Sequence, residues 1–74
     1  MSDFPTLTCK RLIKVLGAFD SQVVRIKGSH HFLRHRDGRC TVIPVHHGEA
    51  IGSGLFGRIL RDCELSREEL RAAL

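Results

Sequence analysis

No stretch of this sequence approaches the about 20 apolar residues that a membrane-crossing helix needs, so a helical membrane anchor is excluded. The opening residues MSDFPTLT lack a basic segment followed by an apolar run, and a cytoplasmic chain without a secretory leader is expected. Cysteine is sparse and unpaired. Cys9, Cys40 and Cys63 are odd in number, widely spaced and never in a CxxC arrangement, which argues against a disulfide framework or a thiolate zinc knuckle. Reduced, partly buried thiols are expected instead, Cys40 among them as a half-buried strand thiol. No internal repeat or low-complexity tract is present. At 74 residues there is room for a single domain, residues 1–74, with a small core.

What is present is positive charge, unevenly placed. Twelve Lys and Arg against eight Asp and Glu leave a formal net charge of +4, and five histidines add to it when pH falls or a polyanion approaches. Asp62, Glu64, Glu68 and Glu69 cluster near the end, whereas Lys10 to Arg39 holds eight cations, Lys10, Arg11, Lys14, Arg25, Lys27, Arg34, Arg36 and Arg39, against Asp20 and Asp37. That asymmetry suits a polyanionic partner, and equally a solvated basic face.

Apolar Leu12, Ile13, Val15, Leu16 and Phe19 recur at three- and four-residue steps behind a capping Thr8, which predicts a first helix over Thr8–Phe19 with an end signal at Gly17. Three short β-like runs follow: Gln22–Lys27, His30–His35 and Arg39–Pro44. Asp37-Gly38 reads as a two-residue hairpin turn, and Gly28 punctuates the first strand. VHHGEAIGSG is a loop by its glycine content, and a second helix is expected from Ser53 or Gly54, carrying Gly57 at a cost of about 1 kcal/mol relative to alanine. Ser66 and Glu69 form a capping box for a terminal helix. The predicted order is α-β-β-β-α-α, an α+β fold with a three-stranded antiparallel sheet.

The run KGSHHFLRH concentrates the chemistry. It lies inside patterned sequence, so it is no tag remnant. Strand alternation puts His30, Phe32 and Arg34 on one face and His31, Leu33 and His35 on the other, and does not say which face packs on the helices. Histidine beside arginine suits RNA cleavage, with imidazole moving protons and guanidinium holding phosphate, though ordinary surface or packing histidines fit as well. A metal site drawing on His46 and His47 is not favoured, because no HxxxH or CxxC ligand pair occurs. Cys40 has no identifiable base beside it to make it a nucleophile.

These residues resemble a known family. VVRIKGSHHFLRHRDGRCTVIPVHHGEAIGSGLFGRILRDCELSREEL is similar to the HicA-type (YcfA-like) mRNA interferase toxins. The shared features are the G-S-H-H opening of the second strand, the R-H-x-D-G hairpin, the P-x-H loop, G-L-F-x-x-I-L-R and L-S-x-E-E-L. Asp20-Ser21, Gly57 and Cys63-Glu64 depart from the usual pattern. The resemblance implies a fold like the double-stranded RNA-binding domain, ribosome-independent endoribonuclease activity on mRNA without a cofactor, and a HicB-like antitoxin partner. It implies His30 as the catalytic histidine, with Lys27, Gly28, Ser29, His31, Arg34, Arg36 and Arg39 around the RNA. The alternative is a non-catalytic RNA-binding module of the same fold type, which basic residues alone would satisfy.

Overall fold

The computed structural model describes residues 7–46 and 48–74. Helix α1 spans Cys9–Leu16, a 3-10 turn Gly17–Phe19, strands β1 Ser21–Lys27, β2 His30–His35 and β3 Cys40–Pro44, and helices α2 Ser53–Asp62 and α3 Arg67–Ala72. The order is the expected α-β-β-β-α-α, and the strands form one antiparallel meander, β1-β2-β3.

Thr8 caps α1 by accepting the Arg11 amide at 3.1 Å, and the helix buries Cys9, Leu12, Val15 and Leu16. Gly17 does not turn the chain, since its φ is −58°. The helix tightens through Phe19 instead and leaves at Asp20, where φ is 65° and the amide bonds Gly17 O at 3.2 Å. Aspartate tolerates that left-handed geometry better than most side chains. The next residue, Ser21, is already buried and begins β1.

The hairpin chemistry differs from the sequence reading. The two-residue turn is Gly28-Ser29, which joins the paired residues Lys27 and His30 and has positive φ only at Gly28, 59°, the primed pattern in which glycine leads. Asp37-Gly38 belongs to a three-residue loop. Gly38 N–H bonds His35 O at 2.9 Å, Gly38 takes φ 102°, and His35 N–H bonds Arg39 O at 2.7 Å. All three residues left between the expected strands belong to it: Arg36-Asp37 form the turn and Gly38 supplies the left-handed step after it.

Which sheet face packs is now resolved. Leu33, Thr41 and Ile43 are buried, together with Leu12, Leu16, Phe56, Ile59, Leu60 and Leu70 from the helices. The His31–Leu33–His35 face of β2 therefore meets the helices, and the His30–Phe32–Arg34 face lies open. Cys40, paired with Arg34, belongs to the open side and is exposed, not half-buried as expected; Cys9 and Cys63 are buried, and burial pushes both thiols up. Thr41 Oγ1 donates to Asp62 Oδ2 at 3.0 Å and ties β3 to α2. The Ser66–Glu69 capping box is complete, with bonds of 3.0 and 2.9 Å, and it orients α3 so that Leu70 is fully buried.

Two glycines respond to substitution with opposite sign. A Cβ at Gly57 meets nothing within 4 Å, so Gly57→Ala should stabilise by about 1 kcal/mol through helix propensity. Gly28→Ala should destabilise by about 1–2 kcal/mol because its φ is left-handed. Urea melts of both variants check this, and destabilisation by Gly57→Ala would show that α2 is packed differently.

Candidate nucleic-acid interface

The Gly28-Ser29 turn explains why two histidines follow it. The strand starts immediately after the turn, so His30 and His31 fall on opposite sides of the sheet at the same end. His30 pairs across to Lys27 and Pro44, and is exposed on the open face. His31 pairs with Ile26 and Ile43 and is half-buried on the helix side.

Ser29 O organises the helix-side position. It accepts the Val45 amide at 2.7 Å, continuing the β2–β3 ladder past Pro44, and it stands 3.2 Å from His31 Nδ1. A carbonyl only accepts, so Nδ1 is the donor in this contact, and the ring's basic lone pair, where it has one, lies on Nε2. A cavity of about 420 Å³ opens beside this ring, lined by Thr8, Lys10, Ile13, Val45 and His46 with His31. The cavity wall is held in place by a bond from Ile51 N–H to Leu7 O at 2.7 Å, alongside the Thr8–Ala50 bridge. His47, the other loop histidine weighed as a ligand, lies outside the described residues, and among those described no three of His, Cys, Asp and Glu converge on a point.

The open face owes its composition to a β-bulge. The register shifts between Val23 and Arg25, so that Val24 and Arg25 both lie opposite Phe32. Strict alternation would put Val23 and Lys27 on the same face. With the extra residue, Val23 stays opposite buried Leu33, while Arg25 and Lys27 come round to join Phe32 and His30. The Arg25 guanidinium stands over the Phe32 ring, 5.9 Å from its centroid. No carboxylate pairs with Arg25, Lys27 or Arg34 among the described residues. Arg25, Phe32 and the bulge were not singled out from sequence, because an alternating strand gives no sign of the inserted residue.

The hairpin arginines divide by environment. Arg36 is exposed and reaches Asp20 at 3.5 Å, a weak surface pair. Arg39 is committed within the chain: Nε donates to Asp37 Oδ2 at 2.7 Å and Nη1 to Cys63 O at 2.6 Å, so it clamps the β2–β3 hairpin to the end of α2. His35 Nδ1 lies 2.9 Å from Asp37 Oδ1 in the same cluster.

The described elements make a small basic α+β domain with one helix-covered and one open sheet face. The family described as HicA toxin of bacterial toxin-antitoxin matches residues 9–65, more than half of the sequence, and the chain belongs to that family. Membership places it in a toxin–antitoxin system and so implies an antitoxin partner. No curated protein matches the sequence closely enough to add a nearer relative.

The Asp37 clamp is testable by acid. The Arg39 amide, and with it the Arg39 and His35 side chains, hold the Asp37 carboxyl below its ordinary range. A depressed folded value means that the stabilisation is complete above the unfolded-state value and is lost as pH falls through the folded one. Wild type should therefore exceed Asp37→Asn in urea stability near neutrality and converge with it in strong acid. A gap that widens on acidification would contradict the clamp.

Proposed function

We propose that this toxin is an endoribonuclease that cuts mRNA by a histidine at the start of β2, and that a HicB-like antitoxin neutralises it by covering that end of the sheet. The observation that carries the reading is His30, an exposed imidazole directly after the two-residue Gly28-Ser29 turn, opposite Lys27 and on the same open face as Arg34. In the proposed reaction His30 takes the proton of a ribose 2′-hydroxyl, or returns one to the departing 5′-oxygen. The 2′-oxygen attacks phosphorus, the bond to the 5′-oxygen breaks, and the products are a 2′,3′-cyclic phosphate and a 5′-hydroxyl. Imidazole suffices for this proton traffic, so the step calls for no metal. Lys27, Arg34 and Arg36 direct charge outward for phosphate, the Gly28-Ser29 turn brings backbone close to the strand end, and Arg39 reaches RNA only with the part of its fork that the clamp leaves.

A second reading is favoured by one specific observation. The bond to Ser29 O puts the basic lone pair of a neutral His31 ring on Nε2, and the adjoining cavity has Lys10 and His46 at hand for a phosphate. Here His31 cuts and His30 only binds.

Cleavage of a labelled mRNA in chelator separates the readings. His30→Ala should lower the rate by ~10² to 10⁴ while still folding, with His31→Ala milder. The reverse ranking selects His31. If both variants and the wild type bind RNA and none cuts it, the domain is a binding module. Loss of wild-type cleavage in chelator would end the metal-free mechanism.

A further inference from the structure

We propose that the open sheet face is a stacking platform for unpaired RNA, with Phe32 receiving a base and Arg25, Lys27 and Arg34 holding the phosphates around it. This rests on the endoribonuclease reading and specifies the substrate as single-stranded. The position of Phe32 is the first argument. Of the four phenylalanines, Phe56 is in the core, Phe19 packs against it and Phe4 is outside the described residues, which leaves Phe32 on the uncovered side.

The second argument is the surround. Phe32 lines an open cavity of about 380 Å³ together with Val24, Arg25, Arg34, Val42 and Arg58. Val24, pushed out by the bulge, is 62% exposed. Arg58 is tied to Val42 O at 2.7 Å, and Asp62, the carboxylate on this lining, already accepts the Thr41 hydroxyl. Apolar lining and uncommitted cations together match a nucleotide strand, which offers a flat π-face and an anion at every step. An acidic protein would match the cations but has no need of the ring.

The Arg25 guanidinium occupies the place over Phe32 that a base would take. An entering base displaces it, and the released cation turns to the adjoining phosphate. His30 lies two residues along the same strand face, about 7 Å away by the strand rise, so a base seated on Phe32 carries its neighbouring backbone toward the imidazole. In a duplex the bases are already stacked and paired, and none presents a face to the ring.

The chain contains no tryptophan, so the tryptophan of Phe32→Trp reports this site alone. The probes are a 2′-O-methyl oligonucleotide, which lacks the attacking hydroxyl, and the same strand in duplex. The single strand should quench the emission and the duplex should not. Phe32→Leu should weaken single-strand binding about tenfold with an unchanged circular dichroism spectrum, and Arg25→Gln with Arg34→Gln should flatten its salt dependence. Equal quenching by duplex, or undiminished binding by Phe32→Leu, overturns the proposal. So does a Phe32→Leu variant that loses only its antitoxin. If Phe32→Leu binds normally while the histidine variants still abolish cutting, the platform fails and the nuclease stands. Quenching by the single strand without cleavage of any RNA by wild type supports the platform and removes the nuclease.

Discussion

One inserted residue, Val24 in β1, decides where the charge of this small domain goes. Before the insertion, β1 alternates with Ser21 and Val23 turned toward the helices, matching buried Leu33 and half-buried His35 on β2. After it, the alternation is reversed, so that Arg25 and Lys27 face the open side with Phe32 and His30. Without that shift the two cations would lie on the helix side of the sheet, where the position opposite His31, now Ile26, is 59% exposed. The bulge thus puts Arg25 and Lys27 on the same surface as Arg34.

The remaining geometry keeps this surface rigid from behind. The Gly28-Ser29 turn fixes where β2 begins, and Ser29 O binds both the strand-end backbone of Val45 and the ring of His31. Leu33 and Ile43, nearly or fully inaccessible, anchor β2 and β3 to the helices; loss of either side chain to alanine would remove about 2–5 kcal/mol, a large share of the stability of a domain this small. Arg39 holds the far end of the hairpin to α2 through Cys63 O. An open face needs this support because none of the described elements covers it, and the charge it carries is self-repelling in the absence of a counter-charge.

Much of the arrangement was legible before the structure. β2 runs over His30–His35 as its composition indicates, the Ser66–Glu69 box caps α3, and the family resemblance on the G-S-H-H, R-H-x-D-G and G-L-F motifs agrees with the family match over residues 9–65. Less legible was anything that depends on tertiary register. Asp-Gly suggested the tighter turn, yet the tighter turn is Gly-Ser, because turn type follows from strand pairing as well as from the dipeptide. Cys40 read as a half-buried strand thiol, but it pairs with Arg34 on the open face, and alternation alone does not say which face packs. Arg39 counted with the other hairpin arginines until its contact with Cys63, distant in sequence, became visible. The bulge left no compositional trace, and so the company kept by Phe32 was hidden.

The central claim is that RNA meets this toxin on the open face of its sheet. The most direct measurement is an amide and side-chain shift map by heteronuclear NMR, taken as an uncleavable single strand is titrated into the isotopically labelled protein. The account predicts that the largest changes fall on Arg25, Lys27, Phe32, Arg34 and Val42. Changes concentrated instead on Thr8, Ile13, His31, Val45 and His46, with the open face silent, would contradict it and move the nucleic acid to the helix-side cavity.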